Sequence, residues 1–318
     1  MANALTAAMV VGFSILGFML PVTALTSNKL KIHVQPPSGS LLRSSKSPDE
    51  TAQMDFSTYI KPMFDDQIAQ LQSCVTPRII DMIPISTESS LQEESPSISP
   101  STNPKPLRQQ LFTSPFISVL YERVLPPLWN AGLRIGGPQA EYEAAADFLL
   151  ADKDNSDGRV LLDLSCGTGF VGQRFATNQD FRHVFALDYS PQMLTELVNS
   201  LQRQQSTTPT NISILRGDAM DLPFADGAID AIHWGAAMHC VPNAEMSLQE
   251  VYRVLKPGGK LYATTFLRPF PDVVFRFFTV PELQSMARQV GFGLPTPSSS
   301  SVLAVEGRGV YGIIKAVK

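Results

Sequence analysis

The segment LLDLSCGTGFVG, residues 161–172, decides the fold of this chain. A short apolar run leads into a loop whose glycines, Gly167, Gly169 and Gly172, form the pattern G-x-G-x-x-G. Between a strand and a helix, this pattern is typical of a doubly wound sheet that binds a nucleotide at its first turn. It is the usual fingerprint for the pyrophosphate of NAD or FAD, so a hydride-transfer enzyme is the first hypothesis.

Short apolar runs and amphipathic segments alternate from this stretch to the end of the chain. The runs are typical of buried strands and occupy residues 159–164, 183–187, 212–215, 229–234 and 260–266. Strands that alternate with helices predict an α/β fold with a mostly parallel, doubly wound sheet.

The helices between the runs carry start and stop signals. Ser190 followed by Pro191 predicts a helix N-terminus. Leu248, Val251, Tyr252 and Leu255 have helical spacing and are predicted to share one helix, which residues 257–259 (Pro-Gly-Gly) end. Thr279 and Glu282 predict a capping box at the start of a helix that Gly291 ends.

Charge and cysteine content argue against a nucleic acid partner, a disulfide framework and a metal site. The 318 residues carry a net charge of −4 with no basic stripe, so no nucleic acid partner is expected. The three cysteines form no C-x-x-C pair, and no cluster has metal-ligand spacing, so neither a disulfide framework nor a metal site is predicted.

The first 48 residues contain no acid and have the composition of a targeting sequence. Residues 1–25 are predicted to be a signal peptide or, alternatively, an uncleaved anchor that contacts a membrane. Residues 27–47 are basic and rich in serine, which is typical of a transit peptide. Together they predict a bipartite plastid address, with the secretory pathway or an endomembrane anchor as the alternative.

The domain boundaries follow from a change of composition. Residues 84–105 are rich in Ser, Pro and Thr and are predicted to be a disordered linker. We therefore assign residues 26–105 to a transit-like and linker region, within which only a short helix around 65–72 is expected. Residues 106–318 form the predicted catalytic domain, beginning with apolar helices broken at Pro126 and Pro127.

Asp163 argues against a diphosphate ligand. It stands at the predicted tip of the first strand, four residues before Gly167, where an acid would repel a pyrophosphate. The same acid would attract the ammonium and sulfonium of S-adenosylmethionine. A carboxylate at Asp188 could accept the ribose hydroxyls of either ligand, and Asp218 ends the next strand.

The blocks DLSCGTG, GDAMDLPF, DAIHWGAAMH and VLKPGGKLYATTF, taken in order, resemble class I S-adenosylmethionine-dependent methyltransferases. LFTSPFISVLYER, GAAMHCVPNAE, EVYRVLKPGG and ATTFLRPF are similar to chloroplast methyltransferases of plants, and the ubiquinone/menaquinone branch is also close. The likeness covers about residues 110–318. It implies a seven-stranded sheet, lid helices before it and S-adenosylmethionine as cofactor. Unlike the plant proteins, this chain has a Ser/Pro-rich linker where they carry a cysteine-rich segment.

The resemblance also implies which residues contact the cofactor. They are Asp163, Gly167, Thr168, Gly169, Asp188, Tyr189, Asp218, Ala219, His233 and Gly235. In the loop after the fourth strand, His239 is the candidate general base. His233 could instead be structural, and Cys166 and Cys240 are expected to be packing residues.

The expected activity is methyl transfer to a small, lipophilic acceptor. The apolar N-terminal helices and the Phe-rich residues 266–278 are expected to form a lid over the site. Two alternatives remain open from the sequence: an NAD(P)-dependent oxidoreductase, and a non-catalytic relative that binds S-adenosylmethionine.

Overall fold

An eight-stranded sheet forms the centre of the fold. The computed structural model describes residues 54–74, 76–84, 137–151, 158–204, 209–268, 275–294 and 302–318. Of these residues, those from Asp55 onward belong to one compact unit. The predicted signal peptide or anchor, the transit-like segment, nearly all of the Ser/Pro linker and the helices of 106–136 lie outside the described residues.

The strands are numbered in chain order. They are β1 (Ile79–Asp81), β2 (Val160–Leu164), β3 (His183–Asp188), β4 (Ile212–Arg216), β5 (Ile229–Trp234), β6 (Leu255–Phe266), β7 (Leu303–Arg308) and β8 (Tyr311–Val317). Their order across the sheet is β1-β4-β3-β2-β5-β6-β8-β7. The pairs β6–β8 and β8–β7 are antiparallel, and the other pairs are parallel. The predicted mostly parallel α/β sheet is confirmed.

The described helices are α1 (Asp65–Gln72), α2 (Gly137–Leu149), α3 (Phe170–Thr177), α4 (Pro191–Arg203), α5 (Ala244–Val254) and α6 (Val280–Gln289). The hydroxyl of Ser190 caps α4, and Thr279 with Glu282 forms the capping box of α6, as predicted. Right-handed crossovers place α3 and α4 on one face of the sheet and α5 on the other. In the described part of the chain, no helix combines the length and apolar character needed to cross a membrane.

The strand count and the domain boundary need correction. The sheet has one strand more than the seven expected, and this additional strand is β1. It lies within the region predicted to be a linker and pairs in parallel with β4 through Ile80 and Leu215. Phe56, Ile60 and Ile80 of this region are buried. A three-residue strand is too short for a periodicity signal, so only α1 was foreseen. The folded domain therefore starts near residue 55 and not at 106.

A smaller correction concerns the end of α5. Its last residue is Val254, and Leu255 already belongs to β6. Leu255 is buried and stands seven residues after Leu248, as a residue on the same helix face would, but its backbone is extended. The spacing of apolar residues alone therefore could not show whether Leu255 belongs to the helix or to the strand.

The sheet topology fixes where a ligand can bind. From β2 the chain builds outward through β3 and β4, and it then returns to place β5 on the other side of β2. This reversal opens a crevice beyond the carboxyl ends of β2 and β5. Asp163 and His233 are register partners in these two strands. The fold itself therefore brings an acid and an imidazole together at the mouth of the crevice.

Candidate functional site

A cavity of about 640 Å³ occupies this crevice. Nine of the eleven predicted site residues line it: Asp163, Gly167, Thr168, Asp188, Tyr189, Asp218, Ala219, His233 and Gly235. Gly169 and His239 are not among its lining residues. The predicted cofactor residues are thus largely brought together, while the predicted general base is not.

The glycine loop shapes one wall of the cavity. Gly167 has a φ of 56°, and a β-carbon there would have no described atom within 4 Å, so its backbone is open to the cavity. Gly169 serves packing, because its β-carbon would lie 2.5 Å from a methyl of Leu197 in α4. Ser165 adopts a φ of 53°, a strained conformation of the kind that clusters at functional sites.

Asp188 ends β3 and lies against the glycine loop. Its Oδ2 accepts a hydrogen bond of 2.9 Å from the Gly167 amide, and its Oδ1 accepts one of 2.8 Å from the Ser190 amide. Burial raises the pKa of Asp188 above its ordinary value, although these amides oppose the shift. The carboxylate is therefore fixed at the cavity wall with lone pairs left for a ligand's hydroxyl groups.

Asp218 also lines the cavity, but it lies two residues after β4, which ends at Arg216 and not at Asp218 as the sequence predicted. Its Oδ1 accepts a hydrogen bond of 2.9 Å from the Met220 amide. Burial raises its pKa as well. Asp188 and Asp218 thus present two acceptors along the β3–β4 side of the cavity.

A buried ionic network forms the opposite side. Nδ1 of His233 lies 2.7 Å from Oδ1 of Asp163, and its Nε2 lies 3.4 Å from Oε1 of Glu141. Burial alone would lower the pKa of His233, but hydrogen bonds and charges from the two carboxylates raise it to about 9. His233 is accordingly an imidazolium at neutral pH and is not available as a general base.

Glu141, Thr264 and Tyr311 complete this network, and none of them is among the site residues predicted from the sequence. The Thr264 hydroxyl donates to Oε1 of Glu141 over 2.8 Å, and the Tyr311 hydroxyl donates to Oε2 over 2.9 Å. Glu141 belongs to α2, where no sequence motif marks its position. Tyr311 belongs to a strand that no predicted run covers. Only the tertiary fold brings them to the cavity.

The charge of the cavity wall is one-sided. Among the described residues that line it are four acids, namely Glu141, Asp163, Asp188 and Asp218, and neither a lysine nor an arginine. His233 is the only cationic group that the described lining contributes. An anionic ligand such as a diphosphate would meet repulsion here, whereas a cation would be attracted.

His239 lies in an aromatic environment beside the cavity. Its ring packs against Phe266, Phe275 and Phe277 at centroid distances of 5.0, 5.5 and 5.9 Å. Burial lowers its pKa to about 3, which makes it a weak base at neutral pH. Both the position and the pKa argue against the general-base role that the sequence suggested. Of these phenylalanines, Phe266 lines the cavity.

The two loop cysteines line the cavity as well. Burial and the nearby Asp188 raise the pKa of the Cys166 thiol well above its ordinary value, so it stays protonated. A protonated, half-buried thiol fits the predicted packing role, because a reactive cysteine needs a thiolate.

Comparison with known proteins agrees with this geometry. Residues 162–263 match the family model described as "Methyltransferase domain". An uncharacterized chloroplastic methyltransferase of Arabidopsis thaliana is 36% identical over 187 residues, which are 57% of this chain and 51% of that protein. The 2-phytyl-1,4-naphtoquinone methyltransferase of Nostoc punctiforme is 31% identical over 192 residues, 57% of this chain and 81% of that protein. The chain thus spans about half the length of the Arabidopsis relative.

Among solved structures, phosphoethanolamine N-methyltransferase 2 of Haemonchus contortus, in complex with S-adenosyl-L-methionine, has a similar fold. The TM-score is 0.50 at 15% identity, over 66% of this chain and 58% of that one. At this identity the likeness concerns the fold alone.

Proposed function

The chain belongs to the S-adenosylmethionine-dependent methyltransferases, and we propose that it transfers the methyl group of S-adenosylmethionine to a small, lipophilic acceptor. The observation that carries this proposal is the charge of the cavity. Four carboxylates and no lysine or arginine line its described part. S-adenosylmethionine presents an ammonium and a sulfonium, whereas NAD presents a diphosphate, so the wall favours the first over the second.

The residues present fit this cofactor. Asp188 and Asp218 would hold the ribose and adenine through their acceptor oxygens, with the Tyr189 ring beside them. The open backbone at Gly167 leaves room for close approach of a ligand. The ionic network around His233 lies at the other side of the same cavity, where the cationic end would be attracted.

When bound, S-adenosylmethionine supplies an electrophilic methyl group on a sulfonium. The contribution of this chain is alignment and exclusion of water, which account for a large part of the rate in two-reactant steps. The apolar Phe266 and Val241 line the cavity close to the loop after β5 and would desolvate an acceptor there. Among the described lining residues the one histidine is His233, and its ring is held between two carboxylates. A protein side chain that acts as a general base is therefore not part of this proposal.

The lipophilic character of the acceptor is supported by two observations. Phe266, Phe275 and Phe277 cluster around His239 next to the cavity. The Nostoc relative is named for a phytyl-substituted naphthoquinone. We propose an aromatic or prenylated small molecule as the acceptor class, and a plastid as its location, by likeness to the chloroplastic relative.

Equilibrium binding tests the cofactor directly. Calorimetric titration of the whole chain with S-adenosylmethionine, S-adenosylhomocysteine and NADH should give binding for the first two only. NADH binding without S-adenosylmethionine binding would reinstate the oxidoreductase. Incubation with methyl-labelled donor and a plastid lipid or pigment extract should then give a labelled product. Tight donor binding with no label transferred would identify a non-catalytic relative instead.

A further inference from the structure

We propose that Glu141 binds the ammonium group of the methyl donor. The sequence had predicted this role for Asp163. This inference rests on the proposed function, because it concerns how S-adenosylmethionine would be held. It adds a binding residue from α2, an element outside the motifs that suggested the family. Three observations carry it: the state of Asp163, the charge of His233 and the surroundings of Glu141.

Asp163 is already engaged within the protein. Its Oδ1 accepts a hydrogen bond from His233 over 2.7 Å, and its Oδ2 accepts one from the Gly172 amide over 2.9 Å. Its side chain is only 2% exposed. A carboxylate that is both buried and paired with a cation has little negative potential left for a ligand.

The geometry around His233 requires that both ring nitrogens donate. Nδ1 faces the carboxylate of Asp163 and Nε2 faces that of Glu141, and neither carboxylate can donate when ionised. One imidazolium thus lies between two carboxylates, which leaves a net charge of −1 on the three groups. Because the Asp163 contact is shorter by 0.7 Å (2.7 against 3.4 Å), the imidazolium chiefly neutralises Asp163.

Glu141 therefore carries the surplus charge, and it faces the cavity. Its side chain is 11% exposed and lines the cavity wall. Its closest partners are neutral hydroxyls, those of Thr264 and Tyr311, at 2.8 and 2.9 Å. Burial alone would raise its pKa, but the hydrogen bond and charge of His233, with these hydroxyls, lower it, so the group stays ionised.

The same hydroxyls hold the carboxylate in position. Thr264 accepts a hydrogen bond of 2.8 Å from the Ala236 amide, and the Tyr311 hydroxyl lies 2.8 Å from Thr264. Thr264 and Tyr311 belong to the adjacent strands β6 and β8, so the network is built on rigid elements. A fixed carboxylate with lone pairs still available matches an ammonium, which has three N–H donors. The sulfonium has no N–H group and is the poorer partner.

Binding of three ligands to the whole chain tests this assignment. S-adenosylmethionine and S-adenosylhomocysteine carry the ammonium, and 5′-methylthioadenosine lacks the entire amino-acid end. In Glu141→Gln we expect the affinity for the first two to fall roughly 10- to 100-fold, the range for a lost charged hydrogen bond. The affinity for 5′-methylthioadenosine should stay within about twofold of the wild-type value, because this ligand has no ammonium group for Glu141 to bind.

Two matched variants serve as controls. Glu143→Gln removes an exposed carboxylate from the same helix and should leave all three affinities unchanged. Asp188→Asn should weaken all three ligands, because each carries a ribose. If Glu141→Gln does not fold, Glu141→Asp takes its place, because its shorter side chain keeps the charge but withdraws it from the cavity. We again expect weaker binding of the two ligands that carry the ammonium and unchanged binding of 5′-methylthioadenosine.

The outcomes separate the two proposals. If wild-type protein does not bind S-adenosylmethionine, the proposed function itself fails. If wild-type protein binds it and Glu141→Gln binds it equally well, only the assignment of Glu141 is overturned. Loss of all three ligands in Glu141→Gln, or loss of S-adenosylmethionine without loss of S-adenosylhomocysteine, overturns it too, since the first indicates a structural role and the second a contact with the sulfonium.

Discussion

The Gly172 backbone and the Asp163 carboxylate are in direct contact across the first strand–helix turn. The Gly172 amide donates to Oδ2 of Asp163 over 2.9 Å, and a β-carbon on Gly172 would lie 2.6 Å from that oxygen. The last glycine of the G-x-G-x-x-G pattern is thus explained by packing between β2 and α3. The pattern needs no diphosphate to account for it.

Gly172→Ala should accordingly destabilise the fold. The added methyl cannot avoid Asp163 unless the carboxylate leaves His233, so we expect a loss of about 1–3 kcal/mol in the free energy of unfolding, despite the better helix propensity of alanine. Chemical denaturation measures this. Gly158→Ala is the control, because a β-carbon at Gly158 would have no described atom within 4 Å. Equal stability of the two variants would contradict the packing argument.

Asp188→Asn tests the nucleoside side of the cavity. The variant keeps the shape of the side chain but replaces a charged acceptor that faces the cavity with a neutral amide. We expect adenosine-containing ligands to bind roughly 10- to 100-fold more weakly, which calorimetry would measure. Asp147→Asn, an exposed position on α2, is the matched control. Unchanged affinity in Asp188→Asn would exclude Asp188 from the ligand site.

The stability of the protein should fall as the pH rises above neutrality. The folded pKa of His233 is about 9, above its ordinary value near 6.5, so its contribution is fully present below about 6.5 and is lost as the pH rises through 9. This rise in the pKa of His233 contributes at most roughly 3 kcal/mol to the free energy of unfolding. The folded pKa values of His183 and His239 are about 3, below their ordinary value, so these residues contribute only to acid sensitivity below about 6.5.

Denaturation at pH 6.5, 7.5 and 8.5 measures this slope. His233→Gln should be less stable than the wild type at pH 6.5 and should show a flatter dependence across the same range. A wild-type curve as flat as that of the variant would mean that His233 is not protonated in the folded protein.

His239→Leu should retain most of the methyl-transfer rate. Its ring lies in an aromatic cluster outside the cavity lining, and its pKa of about 3 is far below the value that suits a base at neutral pH. Loss of a general base would lower kcat about 10²- to 10⁴-fold. We expect instead a moderate loss of stability and less than about a tenfold loss of rate. A loss above 100-fold, with unchanged donor binding, would restore the catalytic role.

Ile80→Asp should show whether β1 belongs to the domain. Ile80 is 2% exposed and pairs with Leu215 of the sheet. An unpaired charge at this site should cost about 2–5 kcal/mol of unfolding free energy, measured by denaturation. Met63→Asp, at a site 66% exposed, should be neutral. If Ile80→Asp were neutral too, residues 54–84 would behave as the linker that composition suggested.

The sequence by itself determined the fold class and most of the predicted residues that line the cavity. Apolar runs of four to seven residues and strong caps such as Ser190 and Thr279 act over short distances, so their structural effect can be predicted from the local sequence. Asp163 and Asp188 lie at the ends of β2 and β3, and Asp218 lies two residues after β4, so all three reach the one edge where parallel strands present their carboxyl ends.

Only the tertiary structure decided the charge state and the partners of those residues. Asp163 was predicted to attract the cationic end of the methyl donor, yet His233 from β5 neutralises it and Glu141 from α2 carries the surplus charge. These residues are separated by 70 and 92 positions, so no local spacing connects them. Electrostatic balance depends on distance in space and on burial, and the chain acquires both only when β2, β5 and α2 pack together.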